Sequence, residues 1–250
     1  MLPFSARVAA ALAIAALLQI HPTAQDSART RVLIIGNSLT FANNLPSMLE
    51  AVARASGARA LECGVVALPD FGLQEHWEDG RALRMLRRGG WTHVVLQQGP
   101  TSLPESRRIL LDYTRRFAPE IRAIGASILL YGVWPTADRP PAFDAVAASY
   151  AAAADDVGGT AVLVGGAWKQ ALREDPSMAL YGPDGFHPSA LGTYAAAVML
   201  FEAITGRPPA PLPAAANRRE PALRAIIATP AQIAIVEKAA SAVSRMNRRR

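Results

Sequence analysis

At 250 residues, 51% of them hydrophobic and 18% charged, the chain can bury a substantial core and falls outside the composition of disordered or fibrous proteins. The net charge of +6 would admit an anionic partner, but the pairs Arg87/Arg88, Arg107/Arg108, Arg115/Arg116 and Arg218/Arg219 are scattered. Only the terminal "RMNRRR" is a cluster, and it lacks the interleaved aromatic residues that stack on bases, so a solvated surface and tail replaces a nucleic-acid interface. The single cysteine, Cys63, excludes an intramolecular disulfide.

Arg7 followed by the apolar run "VAAALAIAALL" and then "HPTAQD" predicts a signal peptide over residues 1–24, with Ala24 last before cleavage. The run is shorter than the roughly 20 residues needed to span a bilayer, so a secreted or periplasmic protein is expected, with no stable membrane span after cleavage. Residues 25–250 are expected to form a single domain.

From Arg31 onward, apolar runs of strand length alternate with longer amphipathic or Ala-rich segments. "RVLII" precedes "LPSMLEAVARAS", "ALECGVVA" precedes "HWEDGRALRMLRR", and "HVVLQ" precedes "SRRILLDYTRRFAPEIRAI". "SILLYGV" then precedes "AFDAVAASYAAAADD", and "TAVLVG" precedes "AWKQALRE". Continuous apolar strands with helices between them predict an α/β fold, a flavodoxin-like three-layer α/β/α sandwich on a five-stranded parallel sheet. The helices "SALGTYAAAVMLFEAIT" and "TPAQIAIVEKAASAVSRM" are expected to close one end of the sandwich, with the Pro-rich "GRPPAPLPAAANRREP" between them as a surface connection.

Ligands of an open parallel sheet bind where the strands end at their carboxyl side. Ser38, in "GNSL" just after the first strand, sits there, with Gly36 permitting a sharp turn and Asn44 and Pro46 placed to cap and start the next helix. A serine nucleophile needs a base. Of the four histidines, His21 falls in the leader, His93 opens a strand and His76 stands in or before a helix. His187, in "YGPDGFHPSALGTY", alone has a carboxylate at short loop spacing, Asp184. Asp-Gly-Phe-His can hold an imidazole in one turn, although the same residues also make an ordinary surface turn. His76 beside Trp77 fits a substrate pocket or the packing of its own helix. Trp134, after the fourth strand, fits stacking on a sugar or acyl group or a place in the core.

Taken together, "GNSL", the segment "GLQEHWEDGRALRMLRRGGWTHVVLQQGP" and "DGFHPS" resemble, in this order, the SGNH or GDSL-type hydrolase superfamily over about Arg31 to Phe201. The resemblance implies Ser38 as nucleophile, His187 as base and Asp184 as its partner. It implies an oxyanion hole built from the Ser38 and Gly72 backbone N–H groups and a third-strand amide, for which Gln97 is preferred to Gln98. The chain departs from the family pattern in having Asn37 where Gly-Asp-Ser-Leu has aspartate, and Gln97-Gln98-Gly99 in place of Gly-x-Asn-Asp. Asn37, His76, Gln98 and Trp134 are the expected pocket residues.

The expected activity is that of a serine esterase acting without cofactor or metal on a small-molecule or polysaccharide ester, with short acyl groups such as acetyl on carbohydrate as substrate. An O-acyltransferase of the same fold and a non-catalytic carbohydrate-binding protein are the alternatives. Thr40 rules out Gly-x-Ser-x-Gly, the dinucleotide and P-loop glycine patterns are absent, and the histidines are too scattered for a metal ligand set.

Overall fold

The computed structural model describes residues 29–58 and 61–247; the expected leader and the last three arginines lie outside the described residues. The elements run β1 (Thr30–Gly36), α1 (Ser38–Phe41), α2 (Leu45–Ala55), β2 (Leu61–Ala67), α3 (Leu73–Asp79), α4 (Arg81–Arg87), β3 (His93–Leu96) and α5 (Pro104–Ala123). They continue with β4 (Ser127–Gly132), α6 (Phe143–Asp156), β5 (Thr160–Leu163), α7 (Val164–Glu174), α8 (Ala190–Thr205), α9 (Pro221–Arg224) and α10 (Pro230–Asn247).

The five strands form one parallel sheet in the order β2-β1-β3-β4-β5. This is the flavodoxin-like arrangement, in which the loops leaving β1 and β3 meet where the strand order reverses. Val32, Leu33, Ile34 and Ile35 are fully buried because β1 has strands on both sides and helices on both faces, which is why it reads as an unbroken apolar run. On one face α3 and α4 pack on α5, and α5 on α6; on the other α2 packs on α8, which packs on α7 and α10.

Two expectations are corrected here. The segment 76–88 is two helices, because Gly80 takes a φ of 77° that ends α3 and starts α4 in a new direction. The last two long helices do not close an end of the sandwich. α8 is buried along twelve of its residues, and with α10 it completes the layer that α2 begins. Cys63, half-buried in β2, has its thiol pKa pushed up chiefly by burial, so it is an unreactive packing residue.

Candidate active site

β1 ends at Gly36, and the chain turns at once into α1, whose cap Asn37 is extended and accepts the Leu39 N–H while Ser38 opens the helical turn. Gly36 is required by packing more than by turning, since a Cβ there would lie 2.3 Å from Gln97 Oε1 and 2.5 Å from Thr40 Oγ1. Asn44 holds a left-handed φ of 51° and caps α2 through Ser47, as its place in the sequence suggested. Ser38 is half-buried at the carboxyl edge of the sheet, and its backbone N–H meets no acceptor among the described residues.

The turn from Asp184 to His187 is built by one carboxylate. Asp184 Oδ1 accepts the N–H groups of Phe186 at 3.0 Å and His187 at 2.9 Å, while Oδ2 lies 2.5 Å from His187 Nδ1. The bond to His187, then the Phe186 N–H, lowers the Asp184 pKa to about 2. With Nδ1 so engaged, Nε2 is the nitrogen left to exchange a proton with a substrate or nucleophile. Gly185 closes the turn at a φ of 67°.

The turn is fixed from behind. Ala137 N–H donates to Gly185 O at 2.8 Å, Trp134 Nε1 to Phe186 O at 3.0 Å and Tyr181 Oη to Pro135 O at 2.9 Å. From the front, Asn43 Nδ2 donates to Pro188 O at 2.6 Å and to Thr193 Oγ1 at 3.1 Å, which joins the Ser38 turn to the His187 loop. Sequence reasoning missed Asn43; its place four residues after Leu39, in an exposed-looking "ANN", gave no sign of a partner 145 residues away. Ser38 Oγ and His187 Nε2 are not themselves hydrogen-bonded to each other; catalytic hydrogen bonds of this kind often tighten only in the complex with substrate.

Several expected site residues have other work. Gln97 is fully buried; its Oε1 accepts the Asn37 N–H and the Thr40 hydroxyl, and its Nε2 donates to Asn37 Oδ1 and Gln98 O. Both amide hydrogens are used internally, so Gln97 does not fit the third oxyanion donor and instead holds the Ser38 turn to the sheet. Gln98, 7% exposed, is committed to Leu73 N–H and Ser106 O, so it lines no pocket either.

His76 is fully buried with Nε2 2.7 Å from Gly36 O, a pairing that requires Nε2 to carry the hydrogen; burial lowers its pKa and keeps the ring neutral. It anchors the end of β1 and does not face substrate. Trp134 is also fully buried, stacked on Trp168 with centroids 3.6 Å apart, and is a core residue supporting the His187 loop. Asn37 is 8% exposed, with every polar group bonded inside the protein.

Gly72 caps α3 at the position where the resemblance places a donor, and its N–H is taken at 2.8 Å by Glu75 Oε2. Glu75 reaches back from the third helical position, an arrangement readable in "GLQE" as a capping box. No group of three or more potential metal ligands occurs among the described residues.

No family model and no curated protein matches the chain. Solved structures do. A protein assigned to the SGNH hydrolases from Slackia heliotrinireducens is 28% identical, with a TM-score of 0.59 over 70% of this chain and 98% of that one. A DUF4886 family protein from Bacteroides uniformis is 18% identical, with a TM-score of 0.67 over 87% and 96%. A mutant of Axe2, an acetyl-xylooligosaccharide esterase from Geobacillus Stearmophilus, is 14% identical, with a TM-score of 0.56 over 70% and 94%. The relative at 28% identity supports a hydrolase of the SGNH fold, and the two below 20% show the shared fold.

Proposed function

We propose that this chain is a serine esterase of SGNH type with Ser38, His187 and Asp184 as its triad, a reading supported by its likeness to a 28% identical protein assigned to the SGNH hydrolases. The observation that carries the reading is the Asp184–His187 pair, held by Asn43 against the turn that bears Ser38. Asp184 keeps the imidazole in one orientation and stabilises the cation that forms when Nε2 takes the Ser38 proton. Ser38 Oγ then bonds to the ester carbonyl carbon, and the oxyanion is met by the Ser38 and Gly72 N–H groups once Glu75 has moved aside. His187 returns its proton to the leaving alcohol, and water repeats both transfers on the acyl-enzyme.

The substrate we assign is a short acyl ester, acetyl above all, on a carbohydrate outside the cytoplasm. The leader-like N-terminus supports the compartment, and a structural relative that acts on acetyl-xylooligosaccharide supports the ester class. No helix among the described residues is long and apolar enough to cross a membrane.

The test is hydrolysis of p-nitrophenyl acetate, butyrate and octanoate by the purified protein beside Ser38→Ala and His187→Ala. A loss of about a thousandfold or more in both variants, with acetate preferred, is expected. Activity retained by Ser38→Ala would remove the nucleophile, and an inert parent protein would favour a binding role.

A further inference from the structure

Asn37 stands where the resembled motif has aspartate, and its surroundings explain the amide. We infer that Asn37 is a positioning residue for oxyanion stabilisation, holding the Phe71–Gly72 peptide so that the Gly72 N–H faces outward. The inference rests on the serine-esterase reading.

The polarity of the Asn37 side chain is fixed by its neighbours. The Leu39 N–H, at 3.1 Å, can only donate, so the atom facing it is Oδ1. Gln97 Nε2 donates to the same oxygen at 2.9 Å. The other atom faces Phe71 O at 3.0 Å, which can only accept, so it is the amide nitrogen. An ionised aspartate would set two acceptors against each other at that contact. At 8% exposure Asn37 has little surface to offer a substrate.

The effect passes through one peptide plane. A trans peptide points its C=O and N–H in opposite directions, and no described peptide is cis. With Phe71 O drawn inward to Asn37, the Gly72 N–H is turned outward, where it meets the carboxylate of the exposed Glu75. The preceding turn needs such an anchor, because Asp70 holds a left-handed φ of 60° that a non-glycine residue keeps only when its surroundings hold it there. Gln97 in turn bonds Asn37 through both backbone N–H and side chain, so the relay runs from the end of β3 through Asn37 to the donor.

The experiment uses Asn37→Asp, which turns the donor into an acceptor, and Asn37→Ser, which keeps a helix-capping oxygen without burying a charge. With p-nitrophenyl acetate, kcat is expected to fall on the order of ten- to a hundredfold in both, with KM within about twofold. Amide NMR during titration with phenylboronic acid supplies a readout that general loosening would not produce. Ser38 Oγ adds to boron, its proton passes to His187, and a boronate oxygen takes the oxyanion position. Both the Ser38 and Gly72 N–H resonances should move in the parent protein, but only that of Ser38 in the variants.

A folded Asn37→Ser with parental kcat and a parental Gly72 response overturns the inference. A parent protein that neither hydrolyses the ester nor binds boronate at Ser38 overturns the serine-esterase reading and this inference with it. Should Asn37→Asp fail to fold, Asn37→Ser carries the test alone.

Discussion

Asn43 Nδ2 donates to Pro188 O at 2.6 Å, bonding the turn after Ser38 to the residue after His187 across 145 positions of sequence. Ser38 and His187, the proposed nucleophile and base, belong to different loops, so their separation depends on this bond and on its companion to Thr193. Asn43→Ala should therefore lower kcat by about tenfold while costing about 1 kcal/mol of stability. Steady-state kinetics beside a denaturant titration would check both; a stability loss with unchanged kcat would show that the loops hold their spacing without it.

Asp184→Asn should leave the turn intact and remove most of the activity. An asparagine Oδ1 can still accept the Phe186 and His187 N–H groups, but its amide nitrogen would force the wrong tautomer on the imidazole. A fall of roughly a thousandfold or more in kcat, with a near-parental circular dichroism spectrum, is expected.

The pKa of Asp184, lowered from 3.8 to about 2, also fixes a sign. A depressed carboxylate contributes stability that is present above its unfolded value and lost as pH falls through its folded value. Asp184 thus stays ionised until the pH falls toward about 2, so the stability it contributes should persist through the mildly acidic range and be lost only as pH falls from 3.8 to about 2; acid titration of the parent beside Asp184→Asn, followed by circular dichroism, checks this.

Glu75 occupies the N–H that the proposed oxyanion needs, at 2.8 Å. A charged hydrogen bond must be given up before the transition state can use that donor. Glu75→Ala should raise kcat/KM for a neutral ester by about tenfold and lower helix stability by about 1 kcal/mol, the worth of a cap. An ester assay with a thermal melt separates the effects, and a fall in kcat/KM would mean that Glu75 assists the reaction.

Trp134→Phe keeps a ring against Trp168 but removes the donor to Phe186 O. A loss of about 2 kcal/mol is expected from the unpaired carbonyl and the smaller ring, with KM for a sugar acetate within about twofold of the parent. A raised KM at unchanged stability would return the residue to the substrate pocket.

The sheet was readable because Val32 to Ile35 and Val94 to Leu96 are apolar at every position, and such short runs alternating with longer amphipathic segments are the pattern of strands covered on both faces. The fold and family resemblance followed from those runs and the motif blocks between them. The roles of Gln97, His76 and Trp134 were not readable in the same way. A sequence states that an amide, an imidazole or an indole is present near the strand ends, but not whether its polar atoms will face a cleft or a backbone carbonyl. Here all three turn inward, and the motif side chains serve mainly to hold loops. Gly80 was overlooked for a related reason: its neighbours are helical in pattern on both sides, and only its positive φ shows the break.

The helical layer that α8 and α10 complete has a consequence for the order in which the chain can finish folding. Ile233, Val236, Ala239, Ala240 and Val243 of α10 are buried as that helix packs on α7 and α8. Until α10 arrives, those two helices keep a sticky, water-exposed stripe, although Ser38, Asp184 and His187 have already been synthesised. A chain emerging from a ribosome therefore holds Ser38, Asp184 and His187 before it holds a sealed core. Such a delay leaves the nearly complete molecule a target for chaperones and proteases.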